Sequence, residues 1–347
     1  MQSRRIVSMR DIARATGVSL TTVSRVMSHQ GNLSQETRDR IMKVARELGY
    51  YDNRLSSAIR LGKTGTVGVL IDLSVSYYNR LFRGIAEALD DRDCLPVVAY
   101  RENEDCAMLH RMIEQRVDGI IIVPTQDDSD NQFYREVMDC GIPMIAVDRE
   151  VPADIDFVGT DDYEGGRCVA EFLYHKGHRQ IGYYAGPQQA SPARLRFQGF
   201  HDFCEEHTEV SMIQIGDGSW PCMSYEKLIS FFKSHAQMTA VACYSDYYAR
   251  QILTAAKLAE RSPVPLVFGF GNIISEFPDS QPIPTVEQHP EQQGRFAVER
   301  LFLRMQHPEL SPEKFRFSPE LLKKSMILRG YQENHSAEDH NVREREE

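Results

Sequence analysis

The sequence predicts an N-terminal all-α helix-turn-helix domain followed by an α/β region of two lobes, each a doubly wound parallel sheet. Three observations predict it. Short capped helical periods fill residues 1–50, β-branched apolar runs alternate with amphipathic stretches from residue 66 onward, and the charge changes sign between the two regions. Of 347 residues, 41% are hydrophobic and 26% charged, which supplies enough apolar surface for packed cores and excludes a wholly disordered chain. At roughly 100–200 residues per domain, the length calls for two or three units.

In the head, Ser8 caps a helix over about 9–16, with Asp11 completing a capping box and Gly17 as the breaker. Ser19 then opens a second helix, Leu20 to Met27, and the short intervening turn makes the two helices cross steeply. A third helix follows, with Ser34 as cap, Glu36 in the first turn, Ile41, Val44, Ala45 and Leu48 on one face, and Gly49 as stop. Ile12, Ala13, Val18, Val23, Val26, Ile41, Ala45 and Leu48 should form one small core. Residues 51–65 read as a basic linker with Arg54, Arg60 and Lys63, too short to hold a helix alone.

From residue 66 the pattern changes. Apolar runs at 66–71, 95–99, 119–123 and 143–147, then at 181–185, 211–215, 239–243 and 266–270, alternate with helical stretches, as strands covered on both faces require. Two lobes of this kind bind ligands between them, beyond the carboxyl ends of the strands. Residues 332–347 lack periodicity and apolar content, and a disordered tail without leucine heptads is expected there.

Charge is segregated. Residues 1–65 hold 12 Lys+Arg against 5 Asp+Glu, or +7, which leaves 28 against 45, or −17, for residues 66–347. A cationic head on an anionic body suits a small nucleic-acid module attached to something that must not stick to phosphate. The segment at the start of the second helix offers Ser19, Leu20, Thr21, Thr22, Ser24 and Arg25 as candidate DNA contacts. Thr21 and Arg25 share a face and can reach base edges, while Thr22 and Ser24 suit phosphate oxygens or a thymine methyl. The alternative is that these residues only cap and solubilise a bundle helix.

Other classes are poorly supported. No G-x-S-x-G elbow, P-loop or H-E-x-x-H occurs, and no cofactor, metal site or catalytic constellation is expected. The seven cysteines form no C-x-x-C pair and should be reduced, mostly buried thiols. His175 and His178 read as helix-end residues rather than metal ligands, and the Asp161-Asp162 pair as a helix cap. With neither an apolar h-region nor a membrane-length apolar stretch, a cytoplasmic protein without membrane contact is expected.

The run Met9-Arg10-Asp11-Ile12-Ala13-Arg14-Ala15-Thr16-Gly17-Val18-Ser19-Leu20-Thr21-Thr22-Val23-Ser24-Arg25-Val26 resembles the DNA-binding signature of the lac repressor (LacI/GalR) family. The likeness continues through Asn53 and Arg54, residues 116–121, 142–149, 177–181 and 193–200, up to about residue 330. The resemblance implies a headpiece over 1–50, a hinge helix over 51–65, and a periplasmic-binding-protein-like effector and dimerisation domain over 66–331. It also implies a homodimer on double-stranded operator DNA, with Asn53 and Arg54 in the DNA-contacting hinge and Ile59 as the minor-groove wedge, where the family usually has Leu. Simple interdomain packing is the alternative for Ile59. Asp52 stands where the family commonly has Pro.

For a small-molecule effector, the resemblance carries over Asp148 and Arg196 as ligand contacts, with Arg149, Ser245, Asp246 and Gln288 at neighbouring pocket positions. The strand pattern agrees, because Asp148-Arg149, Ser245-Asp246 and Gly271-Asn272 each follow a strand, which makes Asn272 a further candidate. Trp220, the one tryptophan, can face a sugar ring. Each also has a plain reading as a strand-end cap or surface ion pair. Gly271-Asn272 replaces the acid common in sugar-binding relatives, which weakens a simple-sugar assignment. A ligand-controlled repressor, with an effector of sugar or sugar-derivative kind, is therefore the leading reading. A solute-binding or carbohydrate-processing protein and an effector-free architectural DNA binder are the competitors.

Overall fold

The computed structural model describes residues 7–27, 33–50, 63–99, 105–124, 132–151, 153–218, 223–273 and 283–322. The expected hinge with Asn53, Arg54 and Ile59, the Trp220 position and the 332–347 tail lie outside them. The chain divides into two compact units, Met1–Thr64 and Gly65–Glu347.

In the first unit three helices form: α1 (Met9–Thr16), α2 (Leu20–Met27) and α3 (Gln35–Leu48). Asp11 accepts from the Ser8 N–H at 3.0 Å and from its hydroxyl at 2.7 Å, and Gly17 ends α1 at φ 70°, where a side chain is strained. Ser19 accepts from the Thr22 N–H at 3.0 Å, and Ser34 from the Thr37 N–H. Ile12, Val23, Val26, Ile41 and Ala45 make the core, with Ala13 and Val18 packed against it. Leu48, expected in that core, is exposed. It lies in the last turn of α3, and Tyr50 packs on the cluster instead.

The second unit contains both lobes. Lobe one is a six-stranded parallel sheet in the order β11, β5, β4, β3, β1, β2, with β1 Thr66–Leu70, β2 Leu95–Ala99, β3 Gly119–Ile122, β4 Met144–Val147, β5 Asp156–Thr160 and β11 Lys314–Phe317. Lobe two orders its parallel strands β7, β6, β8, β9, with β6 Gln180–Tyr184, β7 Ser211–Ile215, β8 Ala240–Cys243 and β9 Leu266–Phe268. Each sheet starts in its middle and reverses direction beside its first strand, which leaves a crevice at the carboxyl ends between β1 and β3 and between β6 and β8.

Both faces of each sheet are buried, with the alternation that the pleat imposes. Val67, Val69, Ile121, Ile145 and Val147 meet one cluster, while Leu70, Ile120, Ile122, Met144 and Ala146 meet the other. In lobe two, Ile181, Tyr183, Ala240 and Ala242 face one cluster and Tyr184, Val241 and Cys243 the opposite one. Helices α4 (Ser76–Asp90) and α11 (Pro290–Gln306) pack on lobe one, and α7 (Asp162–His175) and α8 (Ser191–Glu206) on lobe two. Each pair crosses closely at glycine: a Cβ on Gly84 would stand 2.0 Å from the Glu291 carbonyl oxygen, and one on Gly199 would stand 1.9 Å from that of Tyr163.

The sequence reading did not identify β5, β11, β10 (Thr285–Glu287) or β12 (Glu320–Leu322), the strands next to the lobe crossings. The chain passes to lobe two after β5, returns after β10, adds β11 to lobe one, and pairs β12 antiparallel to β10. The thiols also depart from expectation: of the five free cysteines among the described residues, only Cys204 and Cys243 are buried, and Cys140 is exposed. No helix among the described residues is long and apolar enough to cross a membrane.

Candidate functional site

The head presents a short face of α2. Leu20, Thr21 and Arg25 are exposed, while Val23 and Val26 anchor the helix in the core. Exposure of Leu20, at 44%, is unusual for an apolar residue and leaves its side chain available to a partner surface. Ser19 and Thr22 are partly committed to local structure, since their hydroxyls lie 2.8 Å apart across the cap. Ser24 is half-buried beside Arg25.

Between the lobes, most of the predicted effector residues converge. Asp148 ends β4 with φ at 66°, and its N–H donates to the Val158 carbonyl at 3.0 Å. The turn directs its carboxylate toward α4, where it accepts from the Tyr78 hydroxyl at 2.8 Å. Burial raises the Tyr78 phenol well above its usual range, so it remains a donor. The Arg149 Nε lies 3.9 Å from the same carboxylate.

Arg196, near the start of α8, is buried and fully engaged. Its Nε donates to Asp162 at 2.7 Å, one terminal nitrogen to the Tyr244 carbonyl at 3.0 Å, and the other to Gln288 Oε1 at 2.8 Å. The guanidinium carbon sits 3.7 Å from the centroid of the Phe270 ring, where an aromatic face favours a cation. Burial pushes the Asp162 carboxyl up to about 6; the Arg196 charge opposes that push and Asp148 adds to it.

Gln288 links this cluster to the lobe crossings. Its Oε1 also accepts from the Thr160 hydroxyl at 3.3 Å, while Gln293 Nε2 donates to Thr160 at 2.9 Å and to the Gln288 carbonyl at 2.5 Å. The Tyr77 hydroxyl closes the chain onto Gln293 at 3.3 Å. Beside it, Arg80 of α4 bonds Glu291 at 2.8 Å and Glu287 at 3.2 Å, and Asn272 Nδ2 donates to the same Glu287 at 2.6 Å.

Not every candidate faces the cleft chemistry directly. Asp246 is buried, and its carboxylate accepts from the Thr285 hydroxyl at 2.7 Å and the Ile273 N–H at 3.0 Å, which pins β10 to the segment after β9. Burial raises its pKa. Ser245 is half-buried at the cap position of α10 (Asp246–Leu258) without a side-chain capping bond. The Asp161-Asp162 expectation divides: Asp161 caps α7 by accepting from the Glu164 N–H at 3.0 Å, whereas Asp162 is the buried partner of Arg196. One helical residue turns the side chain by about 100°, from the capped end toward the interior.

Sequence reasoning missed Asp162, Tyr78, Thr160 and Gln293. A signal existed for Asp162: like Asp246 it opens a helix that follows a strand, and both helices carry a buried acid at their first position. Tyr78 and Gln293 lie inside helices, where periodicity marks them only as core-facing.

The chain matches the bacterial regulatory proteins of the lacI family over residues 8–53, and the periplasmic binding protein domain over residues 67–306. It is 26% identical to the ribose operon repressor of Escherichia coli (strain K12), covering 92% of this chain and 99% of that one. To the maltose regulon regulatory protein MalI of Escherichia coli (strain K12) it is 27% identical over 81% of this chain and 85% of that protein. The fold superposes on the lac repressor dimer bound to operator and the anti-inducer ONPF with a TM-score of 0.78, at 23% identity, covering 93% of this chain and 99% of that one. The chain therefore belongs to the lacI family of bacterial regulatory proteins, with a helix-turn-helix head and a two-lobed periplasmic binding protein domain.

Proposed function

We propose that the protein is a cytoplasmic, non-enzymatic transcription repressor that binds a pseudo-palindromic operator as a homodimer and is controlled by a small molecule held between the lobes. The observation that carries the reading is the exposed face of Leu20, Thr21 and Arg25 on a capped two-turn helix, within a segment of charge +7. Arg25 is the base-reading residue and Thr21 its neighbour on the same face, while Lys63, exposed at the end of the head, acts on phosphate. The two-fold axis of a dimer would match two half-sites about one helical turn apart.

The cleft supports an effector of sugar or sugar-derivative kind. Asp148 accepts a hydroxyl proton already, from Tyr78, and a ligand hydroxyl is its natural replacement; Phe270 and Tyr244 supply apolar ring faces beside Arg196. Ligand entry would break the Tyr78 to Asp148 bond, shift the balance between lobe arrangements, and act on the heads through the connecting segment. One observation favours a second reading, an architectural DNA binder without effector: Arg196, Asp162, Gln288 and Thr160 satisfy one another within the protein.

Footprinting on genomic fragments, with and without a metabolite extract, tests both readings. A symmetric protected site whose occupancy changes with extract supports the proposal. No effect of extract favours the architectural reading, and no protected site refutes the DNA role. Arg25→Ala should cost about 1–3 kcal/mol on the specific site and relax one base position, whereas Lys63→Ala should weaken all sequences alike. Equal losses on specific and random DNA for Arg25→Ala would contradict its assignment.

A further inference from the structure

A second concave site lies on lobe two, away from the cleft. It is a cavity of about 1100 Å³ lined by residues that immediately precede β6, β8 and β9, so it sits at the amino ends of the strands, whereas the cleft sits at their carboxyl ends. One flank of α10 and the entry to β10, Ile283-Pro284, complete it.

Its charge is unlike that of the surrounding domain. Lys176, His178, Arg250, Lys257 and Arg261 line the cavity, and no Asp or Glu is among the described residues that do so. Yet 45 of the 282 residues from 66 onward are acidic, against 28 basic. The five side chains come from two stretches, residues 176–178 and 250–261, which only the fold brings together.

Holding cations together in a partly desolvated recess raises their energy unless an anion joins them. Two features carry that mark. Burial holds the Arg250 guanidinium and the His178 imidazole below their ordinary pKa values, and Asp246, one turn from Arg250, offsets the effect on Arg250 only in part. Arg261 donates one terminal nitrogen to the Met238 carbonyl at 2.9 Å, while its Nε is buried with no hydrogen-bond partner among the described residues. Leu253, Pro263 and Val264 add apolar wall, and the volume lies just above the roughly 300–1,000 Å³ typical of small-molecule sites.

We propose that this cavity binds a phosphorylated small molecule, its phosphate set among Lys257, Arg261 and Lys176 and its organic body against Leu253, Pro263 and Val264. Arg261 supplies the directional guanidinium donor, and the lysines supply mobile point charges suited to a phosphate dianion. The site is separate from the interlobe cleft: α10 starts at the cleft with Asp246 and, at 1.5 Å per residue, carries Lys257 roughly 16 Å further on.

Calorimetric titration of the full-length protein with inorganic pyrophosphate, ADP and glucose 6-phosphate tests the proposal, with adenosine and glucose as uncharged counterparts. At least one phosphorylated probe should bind with a submillimolar Kd where its counterpart does not. The paired change Lys176→Glu with Lys257→Glu, at two exposed positions, should weaken that binding tenfold or more at an unchanged melting temperature. Asp148→Asn, in the cleft, should leave it unaltered. The proposal is overturned if none of the three probes binds with a submillimolar Kd, if binding survives the paired lysine change, or if it responds to Asp148→Asn instead. It is also overturned if random-sequence duplex DNA displaces bound pyrophosphate, since the surface would then be a nucleic-acid contact.

Discussion

Replacing Arg196 by methionine removes the guanidinium while keeping a flexible apolar stem against Phe270. Three hydrogen bonds are lost, to Asp162, the Tyr244 carbonyl and Gln288, together with the stacking contact. The dominant loss is electrostatic, because Asp162 is only 3% exposed and is left without its counter-charge. Removing one partner of a buried pair costs about 3–5 kcal/mol, a large part of the roughly 5–15 kcal/mol that stabilises a typical domain. With a urea m-value near 3 kcal/mol/M, expected at the upper end for a domain of this size, the midpoint falls by about 1–1.7 M. Equilibrium urea denaturation followed by circular dichroism measures it. Adding Asp162→Asn should restore at least half of the loss, since the neutral amide no longer needs a cation. A single variant within about 1 kcal/mol of the natural protein, or a double variant no better than the single one, would falsify the account of this cluster.

Asp162 makes a pH prediction of its own. Its folded pKa of about 6 lies above the ordinary 3.8, so the folded state holds this proton more tightly; the associated stability is full below about pH 4 and is lost as pH rises through 6. The stability of the natural protein minus that of Asp162→Asn should therefore fall by on the order of 3 kcal/mol between pH 4 and pH 7, and a flat difference would contradict the raised value. Gly199→Ala places a methyl 1.9 Å from the Tyr163 carbonyl oxygen, and forcing α7 and α8 apart should cost about 1–3 kcal/mol, with a melting temperature shift of under 1 °C as the contrary result. In the head, Ser34→Ala removes the hydroxyl that caps α3 and should cost about 1 kcal/mol. Amide exchange at Ile41 and Ala45 should then accelerate roughly fivefold, and unchanged exchange would show that the cap contributes nothing.

The site was only partly legible before the fold. Asp148, Arg196 and Gln288 were proposed because strand ends and a family resemblance pointed to them, and the structure sets Arg196 and Gln288 within hydrogen-bonding distance of each other and bonds Asp148 to Tyr78. Tyr78 and Gln293 were not found, since a polar atom at the tip of a helix residue leaves no mark on hydrophobic periodicity. Leu48 shows the opposite error: periodicity placed it in the core, but the helix outruns its small bundle there. β5, β10, β11 and β12 were missed because they sit at the lobe crossings, where the repeat of strand and helix is interrupted.

What the sequence determined alone is whatever rests on neighbouring residues: the caps at Ser8, Ser19 and Ser34, the stops at Gly17 and Gly49, the eight strands β1–β4 and β6–β9, and the cationic head on an anionic body. These depend on hydrogen bonds and side-chain periods spanning a few residues, so they survive without knowledge of the fold. Tertiary structure alone decided which distant charges meet. Asp162 with Arg196, Arg80 with Glu287, and Lys176 with Arg261 lie tens to hundreds of residues apart, and the energy that selects them appears only when the chain removes them from water together.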